Sequence, residues 1–230
     1  MKSNEPTNRP ASAPSAEQTR KALIGAALKL FGGKGFDGTS TRELAAAAGA
    51  NIGSIAYHFG GKEGLHMAAA DHIVETVQTM ARQALGDFDA PRAAPPDAET
   101  AREQLFQVLE RMIHFVVARP ESGEIVQFLL RELAHPSAAL DRIYAGVFEP
   151  VHKRLCTLWE LATGEAAESE ETRLIMFTLI GQVVYFRIGR EAVRRRMGWC
   201  DLGTMEAERI AAIAKANLAA ILAVREELAK

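Results

Sequence analysis

The chain has 230 residues, 48% of them hydrophobic and 24% charged, with a formal net charge of -2. That length supports one large domain or two small ones with a sizeable core, and that charge excludes a chain basic throughout, so a nucleic-acid partner would have to be met by a local patch. Cys156 and Cys200 fit no metal or redox spacing, and no run of about 18 apolar residues reads as a membrane span. The polar, proline-dotted start, Met1 to Glu17, has no apolar stretch of the kind a secretory leader needs, so a cytoplasmic protein with reduced thiols is expected.

In chain order, residues 1–14 read as a disordered tail. Ser15 with Gln18 forms a capping-box pattern that should start a helix carrying Leu23, Ile24, Ala27, Leu28 and Phe31 at helical spacing. "GGKG" (Gly32 to Gly35) stops it. Thr39, Ser40 or Thr41 caps the next, "TRELAAAAG", which Gly49 ends. "NIGSIAYHF" is a second short helix, capped by Asn51. A long helix is predicted over Lys62 to Leu85, with Leu65, Ala69, Ile73, Val77 and Met80 as its stripe.

"GDFDAPRAAPPDAE" (Gly86 to Glu99) reads as an interior linker. Helices are then predicted over Thr100 to Ala118, stopped by Pro120, and over Ser122 to Ala134, stopped by Pro136. One over Ala138 to Ala162 should kink at Pro150. A long helix capped by Ser169 should reach Met197, and another should run from Met205 to Leu228. No segment shows strand alternation, and no repeat or long heptad run is present. The chain therefore reads as all-α, with about nine helices and a small N-terminal unit before the linker.

The stretch "STRELAAAAGANIGSIAYHFGGKEGL" (Ser40 to Leu65) has the construction of a helix-turn-helix. Leu44, Ala45 and Ala48 form one inner face, Ile55 and Phe59 the other, and Gly49 makes the turn. The alanine run permits close helix approach. In such a unit the second helix enters the DNA major groove and the first crosses the backbone. The residues left outside suit that use: Asn51, Ile52, Gly53 and Ser54 are small, polar or able to meet a thymine methyl. Tyr57 and His58 can donate to phosphates. Lys62, at a helix start, adds charge and free N–H groups for a phosphate. Thr41 and Arg42 can reach the other side of the groove.

Over about residues 18–68 this stretch, with "ALKLFGGKGFDGTS" before it, resembles the N-terminal domain of the TetR/AcrR family of bacterial transcription regulators. That family's pattern runs roughly Thr-x-x-Glu-Ile-Ala-x-x-Ala-Gly-Val-x-x-Gly-x-Leu-Tyr-x-His-Phe-x-x-Lys-x-x-Leu. Two positions depart from it: Ala50 replaces the valine after the turn glycine, and Ala56 stands at the usual tyrosine, with Tyr57 one place later. "QFLLRELAHPSAALDRIYAGVFEPVHKRL" and "TLIGQVVYFRIGREAVRRRMGW" are similar to the CecR (YbiH) subgroup. The resemblance implies a DNA-binding domain over 15–62 continuing into helix 62–85, and a ligand-binding and dimerisation domain over 63–230. It implies a ligand-responsive regulator, a repressor by family habit, with double-stranded operator DNA, a second copy and a small-molecule effector as partners, and no cofactor.

Within the C-terminal helices, His114, Gln127, Phe128, Arg131, Tyr144, Trp159, Phe177, Gln182 and Tyr185 are polar or aromatic residues in apolar settings, the composition of a ligand pocket. Arg187 shares that setting. The resemblance places the dimer interface on the last two long helices. "LIMFTLIGQVVYF" (Leu174 to Phe186) is apolar nearly all round, and "RIAAIAKANLAAILAV" (Arg209 to Val224) is rich in alanine, as close packing requires.

Other patterns have competing explanations. Glu63–His66, Glu132–His135 and Glu149–His152 repeat the Glu-x-x-His spacing of di-iron bundles, but Pro136 directly follows one His, Pro150 interrupts another pair and the first pair sits on the helix-turn-helix unit, so exposed residues near helix ends are the expectation and no metal site is assigned. The arginines Arg190, Arg194, Arg195 and Arg196 read as a helix C-terminus or salt-bridging face before they read as a nucleic-acid patch. No nucleophile constellation or phosphate loop suggests an enzyme. The alternatives to a regulator are a helical metalloprotein and a protein-binding helical adaptor.

Overall fold

The computed structural model describes residues 15–85, 95–120 and 122–228, all helix and connection with no strand among them. The tail over 1–14 and most of the linker, 86–94, lie outside the described residues. Helix α1 (Ala16–Lys34) starts on the expected capping box: Ser15 Oγ accepts from Gln18 N–H, and Gln18 Oε1 accepts from Ser15 N–H. Leu23, Ile24, Ala27, Leu28 and Phe31 are all buried.

Helix α2 (Thr41–Ala47) is capped by Ser40, which exchanges bonds with Glu43, a second Ser-x-x-Glu box. It ends two residues before Gly49. Ala50 N–H bonds Ala45 O at 2.9 Å, and Gly49 N–H bonds Ala46 O at 3.2 Å, closing the helix with Gly49 at φ 61°. Helix α3 (Gly53–Phe59) begins later than predicted. Asn51 stands before its first turn, and its Oδ1 accepts from Gly53 N–H at 2.9 Å. Gly60, at φ 74°, ends it.

Helix α4 (Lys62–Leu85) then starts almost against α3: a Cβ on Gly64 would lie 1.8 Å from Phe59 O, so only glycine lets the two helices meet there. Leu44, Ile55 and Leu65 are at or within 1% of complete burial, each contributing about 1.5–3 kcal/mol of apolar transfer.

The remaining helices are α5 (Ala98–Ile113), α6 (Ser122–Ala134), α7 (Ala138–Ile143), α8 (Glu149–Thr163), α9 (Glu170–Ile188), α10 (Arg190–Met197) and α11 (Thr204–Leu228). Asp97 caps α5, so that helix reaches into the predicted linker. A π-helical turn, His114–Ala118, extends α5.

Two predicted helices are divided. A second π-helical turn, Tyr144–Phe148, stands between α7 and α8, just before Pro150. Pro150 has no N–H for the carbonyl four residues earlier. That carbonyl, Gly146 O, accepts from Gln78 Nε2 of α4 at 2.8 Å instead. The helix predicted to run to Met197 breaks at Gly189. Arg190 holds the next segment elsewhere, donating to Val117 O at 3.2 Å and Leu202 O at 3.0 Å.

The buried side chains form two cores. One joins α1–α4 to Ile125 and Phe128 of α6 and to Ala139, Ile143 and Val147. The other lies among α5, α8, α9 and α11. Phe115 and Val151 pack against both. Gly32 marks a close contact between α1 and α6, where a Cβ would meet Phe128 N at 3.0 Å.

Candidate nucleic-acid interface and effector bundle

The turn between α2 and α3 leaves the predicted reading residues exposed or half-buried. Tyr57 is 82% exposed and Ile52 50%. Arg42, Asn51, Gly53 and Ala56 are exposed; Thr41, Ser54, His58 and Lys62 are half-buried. Ile55, directly behind them, is sealed into the core, so the surface stands on a fixed support. The Tyr57 and His58 rings meet edge to face at 4.9 Å. Lys62 Nζ lies 4.1 Å from the Phe36 ring centroid, a cation–π contact that holds the ammonium against the turn after α1. Asn51 spends its carbonyl oxygen on Gly53, leaving its amide NH₂ as the group able to meet a base or phosphate.

Supports that sequence reasoning missed lie behind this face. Lys34 Nζ bonds Glu43 Oε1 at 2.6 Å, and the Arg20 guanidinium carbon stands 5.6 Å from the Phe59 ring centroid. Lys34 and Ser40 together hold the Glu43 carboxyl at a pKa of about 2. The Ser-x-x-Glu spacing was the available signal for the capping part.

One turn beyond Lys62, His66 Nε2 contacts Glu132 Oε1 at 3.0 Å, and both side chains are only 7% exposed. Ser137 Oγ donates to Glu132 Oε2 at 2.5 Å. The His66 ring sits among Phe31, Phe36 and Phe128 at centroid distances of 4.8, 5.1 and 5.2 Å. Burial pushes its pKa below the ordinary value, Glu132 opposes that shift, and Lys62 adds to it. This pair pins the start of α4 to α6 and α7. Nothing local in the sequence signals it, because its partners are 66 residues apart.

The candidate ligand residues do not converge. Phe128 belongs to the core under the head, and Arg131 Nη2 donates to Lys34 O at 3.3 Å. Gln127 is exposed on α6 and Tyr144 is exposed on the second π turn. Trp159 is fully buried, its indole N–H given to Glu165 Oε2 at 2.8 Å. Phe177 and Tyr185 are 60% and 57% exposed on α9. Gln182 accepts from Asn217 Nδ2 at 3.4 Å, and His114 is half-buried at the first π turn.

An apolar cavity of about 20 Å³ lies instead between Leu105, Val108, Leu109 and Met112 of α5, Leu155 of α8, Met176, Leu179 and Ile180 of α9, and Leu218 of α11. It holds one water-sized guest, against the roughly 300–1,000 Å³ of a drug-sized pocket. A ligand of that size must part the helices. The three- and four-residue spacing of Leu105, Val108, Leu109 and Met112 was the sequence signal for this wall.

The Glu-x-x-His pairs separate. His66 turns to Glu132, Glu149 takes Lys153 at 2.7 Å, and His152 packs on Phe177 at 4.2 Å. Among the described residues no three metal-ligating side chains come together. The arginine run is tied within the fold: Arg194 and Arg195 both pair with Glu191, and Arg190 with Asp201. Among the described residues no helix is long and apolar enough to cross a membrane.

Among the described residues the chain is all-helical, with a helix-turn-helix joined to a larger bundle, the architecture used by DNA-binding transcriptional regulators. A family model of bacterial regulatory proteins, tetR family, matches residues 23–69, and one for the C-terminal domain of the HTH-type transcriptional dual regulator CecR matches residues 101–224. The chain is 35% identical over 206 residues to the HTH-type transcriptional dual regulator CecR of Shigella flexneri, covering 88% of this chain and 91% of that one. The chain belongs to the TetR family of ligand-responsive regulators, with a CecR-type C-terminal domain.

Solved structures share the fold. A transcriptional regulator of Pseudomonas aeruginosa matches with a TM-score of 0.64 at 19% identity, over 94% of this chain and 96% of that one. A TetR-like regulator of a Rhodococcus species matches with a TM-score of 0.61 at 21% identity, over 90% and 98%.

Proposed function

We propose that this regulator acts in the cytoplasm as a homodimeric repressor, each copy setting α3 into a major groove of a palindromic operator. The observation that carries this is the exposed surface of Ile52 and Tyr57 standing on the buried Ile55. Ile52, Gly53, Ser54 and the Asn51 amide meet base edges. Tyr57, His58 and Lys62 hold phosphates on one side of the groove, and Thr41 and Arg42 hold them on the other. Two heads reading one face of the duplex need half-sites about 34–36 Å apart, or a multiple of that.

The second copy covers the apolar face that α9 and α11 leave open. Leu174, Phe177, Tyr185, Ile188, Ile213 and Val224 are each more than half exposed there. An effector entering between α5, α8, α9 and α11 parts those helices, and the contacts of α6 and α7 with α1 and α4 carry the movement to the heads. It lowers operator affinity only through its preference for the parted state.

The test begins by selecting bound fragments from genomic DNA with the purified protein. Gel shifts on the selected operator then compare Tyr57→Ala and Lys62→Ala with the parent chain. Each variant is expected to weaken binding by about 5- to 50-fold while remaining folded and dimeric, and Lys62→Ala to reduce the salt slope by about 1. Unchanged binding by both would remove α3 and the start of α4 from the interface.

A further inference from the structure

Among the described residues, three buried side-chain polar atoms have no hydrogen-bond partner, and all three lie on α5 and α8: Gln104 Oε1, Arg154 Nε and Arg154 Nη2. Buried polar atoms are nearly always paired, so each needs a reason. The two from Arg154 form a single edge of its guanidinium. That edge takes a carboxylate or phosphate side-on, through two parallel N–H···O bonds. Arginine cannot escape burial by losing its proton, so an unpaired buried edge is costly until an anion fills it. Three carboxylates of α5, α8 and the turn after α8 are engaged elsewhere: Glu110 takes Lys215 at 3.2 Å, Glu149 takes Lys153 at 2.7 Å, and Glu165 takes Trp159 at 2.8 Å and Arg225 at 3.2 Å.

The residues next in sequence to Arg154 and Gln104 suggest the rest of the guest. Leu155 follows Arg154 and Leu105 follows Gln104, and both line the apolar cavity. Met112 and Met176, among its other walls, are unbranched side chains that reshape readily around a guest. Along α8, Arg154 shares a stripe with Val151 and Leu158. Val151 touches both cores, and Leu158 is completely buried in the second. An anion at Arg154 therefore acts one turn from the seam between head and bundle.

We infer that Arg154 is the anion-pairing residue of the effector site, and that the effector is a small amphipathic carboxylic acid. Its carboxylate takes the Nε–Nη2 edge, its apolar body widens the cavity between α5, α8 and α9, and a hydroxyl or N–H on it can supply Gln104 Oε1. This rests on the bundle being the effector domain.

The experiment uses the full-length chain and its Arg154→Met and Arg154→Lys variants, melted alone and with decanoate or 4-phenylbutyrate below their micellar concentrations. Decanol, which lacks the charge, and decyl phosphate are the controls. Without additive, Arg154→Met is expected to melt at or above the parent, because it removes a buried, unpaired guanidinium edge. A clear fall would show that Arg154 is already paired and would overturn the assignment.

At least one acid is expected to raise the parent's Tm by about 2–4 °C at saturation. Decanol is expected to raise none, Arg154→Met to lose the rise and Arg154→Lys to keep only part of it. No rise with either acid, an equal rise in parent and Arg154→Met, or a rise only with decyl phosphate would each overturn the carboxylate assignment. Gel shifts separate the two readings: acid binding lost in Arg154→Met but without effect on operator affinity leaves the site standing and removes its role as effector site.

Discussion

The head and the bundle use their polar residues in opposite ways. In the head, the residues expected to act together come from one run of the chain, Thr41 to Lys62, and all of them reach solvent at least in part. In the bundle, the residues expected to share a pocket come from three helices and two π turns, and they scatter between core and solvent. A surface built on two adjacent short helices follows from local geometry. A pocket between distant helices depends on how each helix is rotated about its axis, and packing sets that rotation.

The two regions are nevertheless not independent, and the sharpest way to test this is at Gly64. A Gly64→Val side chain would collide with the Phe59 carbonyl, a backbone atom that cannot turn away. Operator binding should fall at least about 100-fold, beyond the roughly 2.7 kcal/mol that such a fold-change represents. Circular dichroism should show a single, lower melting transition, since α6, α7 and the second π turn share the head's core. A separate bundle transition at the parent's Tm would show that the cores melt independently.

Phe128→Ala comes next. It empties a fully buried site under the head but belongs to α6, and should cost about 3–5 kcal/mol in a denaturant titration. A value near zero would mean that α6 contributes little to the head.

The His66–Glu132 contact makes the joint sensitive to pH. Burial lowers the folded-state pKa of His66, so the unfolded chain binds the proton more readily. Its contribution to stability is complete above an unfolded pKa of about 6.5 and falls away as pH drops below that toward the folded value. Melting between pH 7.5 and 5.5 should show a declining Tm, and His66→Gln should flatten the decline. An identical slope in the variant would assign the loss to other groups.

The smallest effect belongs to the head's surface. Glu43→Gln removes the carboxylate that accepts from Ser40 and Lys34 and should lower Tm slightly at pH 7. With the folded pKa held at about 2, the lost stabilisation is the part present above about pH 4.5, which the parent itself loses as pH falls toward 2. Parent and variant should therefore converge in acid, and a constant gap would point to packing in place of charge.

Much of the fold was legible where the signal was short-range. Ser15 with Gln18 and Ser40 with Glu43 announced two helix starts, Gly49 the turn, and Ile55 the supporting core residue. Pro150 announced a disturbance, but the π turn before it and the Gln78 bond that satisfies Gly146 O required α4 to be in place. Gly189 looked like one tolerable helix position, and it became a break because Arg190 found carbonyls on two other segments. Phe128, Arg131 and Trp159 looked like ligand residues because composition marks an aromatic or arginine as unusual without saying what it faces.

The amino-acid sequence alone determined the helical class, the helix-turn-helix and its buried supports Leu44 and Ile55. All of these depend on periodicity, caps and glycines within a few turns of chain. Tertiary structure alone decided that His66 pins the head to α6 and α7, that the predicted pocket residues disperse, and that the Arg154 edge is shut away from water unpaired. Those outcomes depend on which distant groups meet at a given burial, and the cost of leaving a polar atom unsatisfied is set only where the helices close.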